Sequence, residues 1–280
     1  MTHLPNLFII GTQKGGSTSL HRHMSGHPDI GVFREKEINL FLEGVDIAKR
    51  LEELGPPRGG TEYLLDGSIN YCRYPRHGGV PGRIVEHVGR ETPRFIYTLR
   101  NPVDRLISHY FWNSERYGEH RDLMTAAETD DVYVATGQYD LQMAQYLEHF
   151  TLSQFCFVRF EAFRADPQAE VNRVLDWLGL PHMVIDTEVR LASTSAKTTR
   201  AQRFPGVHAF VTGTPALRRT LQKALPDRTL RRLNRALSKE VVREPVDKET
   251  RKLLLERYFL DSIEKTEDLL GLDLEDWKTP

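Results

Sequence analysis

One segment restricts the fold more than any other: Phe8-Ile9-Ile10-Gly11-Thr12-Gln13-Lys14-Gly15-Gly16-Ser17-Thr18-Ser19-Leu20. A short apolar run enters a glycine loop with one lysine, and hydroxyl residues open what reads as a helix. A strand, loop and helix of this kind turn backbone N–H groups and a helix N-terminus toward a phosphate, and the lysine adds a full charge. Gly11 and Gly16 have Walker A spacing, and Thr18 stands where that motif has Ser or Thr. The residue after the second glycine, a lysine in Walker A, is Ser17, and the only lysine, Lys14, lies inside the loop. A lysine after the second glycine reaches β- and γ-phosphates. One inside the loop suits a single 5′-phosphate and whatever bridges from it, so the loop reads as one for a nucleotide other than ATP.

A second segment, Phe95 to Tyr110, also reads as strand, tight turn and helix. In a P-loop nucleotidase a later strand ends in an acidic residue that holds Mg²⁺. Here it ends in Arg100. Pro102 suits the first turn of a helix, and Ser108 lies two turns along it. Arg100 and Ser108 thus read as a second phosphate site without a metal. A nucleotide with two separate phosphates, gripped by cations, fits both segments; 3′-phosphoadenosine 5′-phosphosulfate (PAPS) is one.

On these motifs the chain resembles the PAPS-dependent sulfotransferases, in particular the heparan-sulfate N- and O-sulfotransferase-like branch and its bacterial relatives. Lys14-Gly15-Gly16-Ser17-Thr18-Ser19-Leu20 looks like that family's 5′-phosphosulfate loop. Leu99-Arg100-Asn101-Pro102-Val103-Asp104-Arg105 through Ser108-His109-Tyr110 looks like its 3′-phosphate motif, and Lys36-Glu37-Ile38-Asn39-Leu40-Phe41 resembles the stretch with its catalytic glutamate. The resemblance implies a P-loop-like α/β fold, PAPS as donor with PAP as product, no required metal, and in-line transfer of a sulfuryl group to a hydroxyl or amine. Glu37 is then the base, although in the charge-dense run Arg34-Glu35-Lys36-Glu37 alone it would read as a surface carboxylate. Lys14 neutralises the leaving phosphate, and Gly15, Gly16, Ser17, Thr18 and Ser19 cradle it. Arg100 and Ser108 grip the 3′-phosphate; the family's Lys/Arg-rich late loop is not plainly present, and Ala196-Lys197-Thr198-Thr199-Arg200 stands in its place, with Arg200 or Lys197 to close over the nucleotide. Lys36, Ser68, His109 and Tyr139 are candidate acceptor-side residues. One departure stands out. The family often has an acidic–Lys–Ser/Thr stretch whose lysine helps at the reaction centre, and here it reads Asp66-Gly67-Ser68.

A carbohydrate acceptor follows from the same branch; a small secondary metabolite or a lipid hydroxyl is the alternative. An ATP-using P-loop kinase and a non-catalytic nucleotide-binding module are the other classes, the first opposed by Ser17 and Arg100, the second favoured by Gly67. With a formal net charge of −1 over 280 residues, nothing calls for a nucleic-acid partner. Two cysteines far apart, Cys72 and Cys156, fit a reducing compartment. No signal peptide opens the chain, no apolar run approaches the ~20 residues that span a bilayer, and Met1 stands directly before the first strand. A cytoplasmic enzyme without a membrane partner is the expectation.

Alternation of strands at 7–11, 64–68, 94–99 and 154–160 with helices at 17–26, 80–89, 102–117, 138–150 and 167–179 predicts a parallel sheet covered by helices on both faces, in a single domain over 1–280. Residues 29–60 read as irregular. Residues 190–240 read as an irregular, basic segment, densest at 217–239, and Asp247 as the cap of a long helix, 247–271, packing on the same domain.

Overall fold

The computed structural model describes residues 4–60, 62–186 and 245–279, with the backbone of two strands at 198–202 and 238–242. Strands β1 (Leu7–Gly11), β2 (Ile30–Val32), β3 (Tyr63–Asp66), β4 (Arg94–Leu99) and β5 (Phe155–Arg159) form one parallel sheet in the order β2-β3-β1-β4-β5. β1 is central, and all five of its residues are buried. Such a strand needs apolar residues at consecutive positions, and Leu7 to Ile10 supply them. β1 and β4 stay paired out to Gly11 opposite Thr98, so the loops that follow them leave the sheet at the same edge, while β3 ends at Asp66 beside Phe8.

The pleat divides the core in two. Phe8, Ile10, Phe95, Tyr97 and Leu99 face one cluster, built with α3 (Val80–Val88), α4 (Pro102–Tyr117), α7 (Tyr139–Leu147) and the C-terminal helices α10 (Lys248–Leu254) and α11 (Leu260–Leu270). Leu7, Ile9, Ile96, Cys156 and Val158 face the other, covered by α1 (Ser17–Met24) and α9 (Pro167–Leu178) through Leu20, Met24, Val171, Val174 and Leu175. The parallel sheet flanked on both faces is the arrangement that the alternation of elements requires. Both cysteines are buried and unpaired. No helix among the described residues is long and apolar enough to cross a membrane.

The segment 29–60 departs from expectation. It holds β2 and α2 (Ile47–Leu54), whose start is fixed by the Asp46 carboxylate accepting from the Lys49 N–H. Further short helices are α5 (Leu123–Thr129), α6 (Asp131–Val134) and α8 (Phe160–Ala165). The helix capped by Asp247 is broken by a π turn at Leu255–Phe259 before α11. The π turn seats the adjacent Leu254 and Leu255 in the core together with Phe259. Within 190–240 the described parts are not irregular: 198–202 (β6) pairs antiparallel with 238–242 (β7), Arg200 opposite Glu240. The rest of the basic stretch 217–239, and the side chain of Arg200, lie outside the described residues.

Candidate functional site

The loop after β1 makes three left-handed turns, at Gly11 (φ 116°), Lys14 (φ 75°) and Gly16 (φ 90°). Gly11 is obligatory, since a Cβ there would lie 2.5 Å from the Thr98 carbonyl oxygen on β4. Lys14 takes a conformation that costs a non-glycine residue about 1–2 kcal/mol. Its carbonyl is held by Arg100, whose Nη1 donates to it at 3.0 Å. Gly15 and Gly16 let the loop pack closely on its neighbours, because Cβ atoms would meet Thr12 Cγ2 at 2.6 Å and Phe160 Cδ2 at 2.9 Å. Gly16 caps α1 with no side-chain hydrogen bond, and its carbonyl takes the Ser19 and Leu20 N–H groups, so the Ser17 and Thr18 N–H groups are the helix donors of the kind that bind anions.

A cavity of about 420 Å³ opens over this loop, lined by Gln13, Lys14, Gly16 to Ser19, Glu37, Ile69, Asn70, Arg73, Trp112, Tyr117 and Phe160. Lys14 and Glu37, 23 positions apart, thus share one chamber. The strand β3 pins the Glu37 segment. The fully buried Asp66 accepts from the Ser68 hydroxyl (2.5 Å) and the Tyr71 hydroxyl (2.6 Å). Those oxygens in turn accept the Asn39 N–H (2.9 Å) and the Phe41 N–H (3.1 Å). Ile38, Leu40 and Phe41 anchor the same segment in the core. Burial pushes the Asp66 carboxyl up to about 6, against the pull of its two hydroxyl donors.

Neither Arg100 nor Ser108 is among the residues that line this cavity. The Arg100 guanidinium stacks on the Phe160 ring at 4.6 Å. Its Nε and the Ser108 hydroxyl are both buried without a hydrogen-bond partner. Tyr139 holds the Arg100 backbone from both sides, its hydroxyl donating to the Arg100 carbonyl (2.5 Å) and accepting the Arg100 N–H (3.2 Å). Asn101 caps α4 by accepting from the Val103 and Asp104 N–H groups.

Two expected acceptor-side residues are placed elsewhere. Ser68 is wholly buried, with its hydroxyl engaged by Asp66 and Asn39, and Tyr139 is a buried support for Arg100. Their contacts make them parts of the scaffold. His109 lies on the wall of a second cavity of about 570 Å³, which shares Gln13, Arg73, Trp112 and Tyr117 with the first. Its imidazole is pushed down to about 2 by burial and then by Arg105, Arg73, Lys14 and Arg76. Burial does most to keep this histidine neutral, and the cations around it act in the same direction. Arg105, fully buried, donates to the Tyr133 carbonyl and to His109 Nδ1 at 3.4 Å.

Arg73, Trp112 and Gln13 line the site with no sequence signal beyond position. Trp112 follows Ser108 by four residues and so shares its helix face; that spacing was the one available clue. Lys14 Nζ lies 5.9 Å from the Trp112 ring centroid. Among the described residues no three His, Cys, Asp or Glu side chains gather as metal ligands would.

A parallel sheet with a glycine loop at the end of its central strand, opening a helix, defines a P-loop-like α/β protein. Residues 4–207 match the family described as the sulfotransferase domain, and the chain belongs to that family. Mouse heparan sulfate glucosamine 3-O-sulfotransferase 6 is 32% identical over 193 residues, which are 65% of this chain and 54% of that protein. The bifunctional heparan sulfate N-deacetylase/N-sulfotransferase 1 of Caenorhabditis briggsae is 25% identical over 215 residues, 68% of this chain and 24% of that protein. The chain therefore spans about half the length of the first relative and a quarter of the second. A sulfotransferase from Alicyclobacillus acidocaldarius shares the fold over 99% of both chains, with a TM-score of 0.68 at 21% identity.

Proposed function

We propose that this protein transfers a sulfuryl group from PAPS to a hydroxyl or amine of a carbohydrate acceptor, leaving PAP. The observation that carries the reading is that Lys14, the glycine cradle and Glu37 face one cavity. The residues fit the donor nucleotide. Unpartnered buried polar atoms on Arg100 and Ser108 are donors that suit an anion, and the loop from Gly16 to Ser19 lines the cavity beside Lys14.

PAPS supplies an activated sulfur–oxygen bond; the chain supplies placement and charge. The N–H groups of Gly16, Ser17 and Thr18, with the Ser17, Thr18 and Ser19 hydroxyls, hold the 5′-phosphate, while the Gly15 N–H stays with the Thr12 carbonyl at 3.0 Å. The Lys14 ammonium neutralises the charge that builds on the leaving oxygen. Arg100 and Ser108 take the 3′-phosphate, where an arginine fork suits such an anion. Arg200 belongs with them by resemblance alone. Glu37 takes the acceptor proton, a role worth ~10²–10⁴ in rate. No metal enters this scheme. The acceptor reaches Glu37 through the second cavity, where Trp112 and Tyr117 offer ring faces to a sugar and Arg73 offers charge to an acid group. Heparan-sulfate acceptors named for the relatives support the carbohydrate assignment.

The test is transfer from ³⁵S-labelled PAPS to heparan sulfate and to neutral oligosaccharides, by wild-type protein and Glu37→Gln. The reading predicts labelled product from the wild type, a loss of ~10²–10⁴ in the variant, and equal PAP affinity in both. Transfer undiminished in Glu37→Gln removes Glu37 as the base, and no transfer to any sugar removes the carbohydrate assignment.

A further inference from the structure

The family's lysine is missing at Gly67, and the structure shows what fills its space. Gly67 is outside the left-handed region, so its backbone does not demand glycine. What demands it is crowding. A Cβ on residue 67 would lie 2.6 Å from His21 Cδ2 and 3.3 Å from Lys36 Cγ. The Lys36 side chain runs through the volume that a side chain at 67 would enter.

Lys36 and Gly67 are also tied to each other twice. The Gly67 N–H donates to the Lys36 carbonyl at 3.2 Å, and Lys36 Nζ donates to the Gly67 carbonyl at 2.9 Å. The same Nζ lies 3.3 Å from Glu37 Oε1. The ammonium is therefore fixed by a main-chain acceptor and directed at the carboxylate that faces the cavity. Arg73, which lines the cavity wall along with Lys14, is turned to Asn70 Oδ1 at 2.8 Å.

We propose that Lys36 takes the place, in space and in charge, of the lysine absent at position 67, and that it acts as a positioning residue for Glu37. The role rests on the sulfotransferase reading given above. By holding one carboxylate oxygen, Lys36 leaves the other to meet the acceptor proton, and it keeps a positive charge beside the reaction centre. Burial lowers the Lys36 ammonium from its ordinary value, while Glu37 and Asp66 pull it back up, which is how a cation is retained in a crowded pocket. His21, packed on the same spot, is driven down to about 4 by burial and by Lys36, so it adds no second charge there.

The experiment exchanges the two positions. Lys36→Ala, Gly67→Lys and Lys36→Ala/Gly67→Lys are made in wild-type and His21→Ala backgrounds. Each is assayed for labelled transfer from PAPS to heparan sulfate, for PAP binding by calorimetry, and for melting temperature. Lys36→Ala is expected to lose about 10²-fold in kcat, the cost of a misplaced catalytic group, with PAP affinity unchanged. Lysine at 67 should restore at least tenfold of that loss in the His21→Ala background, a rescue that a merely structural role would not give. Lys36→Ala/Gly67→Lys should melt higher than the sum of the two single changes predicts, because removing Lys36 relieves the crowding that a side chain at 67 meets. Retained kcat in Lys36→Ala, or no rescue by a folded double variant, overturns the proposal. If the wild type transfers to no acceptor, the sulfotransferase reading fails separately, and additive melting temperatures would then overturn the shared space by themselves.

Discussion

Replacing Gly16 by alanine tests whether the phosphate loop and the second phosphate site are one mechanical unit. Gly16 has φ 90°, and a left-handed alanine costs about 1–2 kcal/mol. Its Cβ would also stand 2.9 Å from Phe160 Cδ2. Carbon atoms pack at about 3.5 Å, so the ring must retreat by roughly 0.6 Å. Overpacking of this kind adds ~1–3 kcal/mol. Phe160 carries the Arg100 guanidinium on its face at 4.6 Å, so the displacement passes to the residue assigned to the 3′-phosphate. Gly271→Ala is the control, because Gly271 has φ 64° and nothing within 4 Å of its Cβ position. It incurs the backbone cost alone. By thermal melting, Gly271→Ala should drop by about 2–8 °C and Gly16→Ala by about twice that. By calorimetry, Gly16→Ala should weaken PAP about tenfold, some 1.4 kcal/mol, and Gly271→Ala not at all. If the two variants melt alike and bind PAP alike, the coupling through Phe160 is refuted.

Tyr139→Phe removes the hydroxyl that bonds both the carbonyl and the N–H of Arg100. Leaving those groups unpaired should cost ~1–3 kcal/mol in urea denaturation and weaken PAP binding with no change in acceptor KM. His109 gives the pH dependence. Its folded pKa, about 2, is below the ordinary 6.5. The unfolded chain therefore takes up a proton that the folded chain refuses, and stability present above pH 6.5 is lost as pH falls toward 2. Between pH 7 and pH 5 this single group accounts for about 2 kcal/mol. Urea denaturation of His109→Gln should show a pH 7-to-5 decline smaller by that amount; an unchanged decline would mean that His109 is protonated in the fold.

Where the sequence was most legible, the cause is burial on both sides. β1, β4 and β5 are apolar at consecutive positions and bounded by glycine, proline or arginine turns, so their limits could be read almost to the residue. β2 carried no such sign. It is three residues long with Gly31 in the middle, and only pairing with β3 makes it a strand. α2 was hidden by its polarity and shortness: its local signals are the Asp46 cap, Gly55 at its end and Ile47, Leu51 and Leu54 on one face, of which Leu54 alone is buried. The phosphate loop was visible because its glycines are demanded locally. Glu37 was visible only through resemblance, because what places it in the cavity is a long-range set of bonds from Asp66, Ser68 and Tyr71. The burial of Ser68 and Tyr139 was hidden for the same reason: a polar side chain near a motif reads alike whether it faces substrate or braces the wall.

The most direct test of the account is calorimetric titration of the protein with PAP, and separately with ATP, in the presence of a metal chelator. The account predicts tight binding of PAP and little of ATP, because Arg100 and Ser108 meet a 3′-phosphate that ATP lacks and because Lys14 serves a single 5′-phosphate. Absence of PAP binding, with ATP binding that returns on adding Mg²⁺, would contradict it.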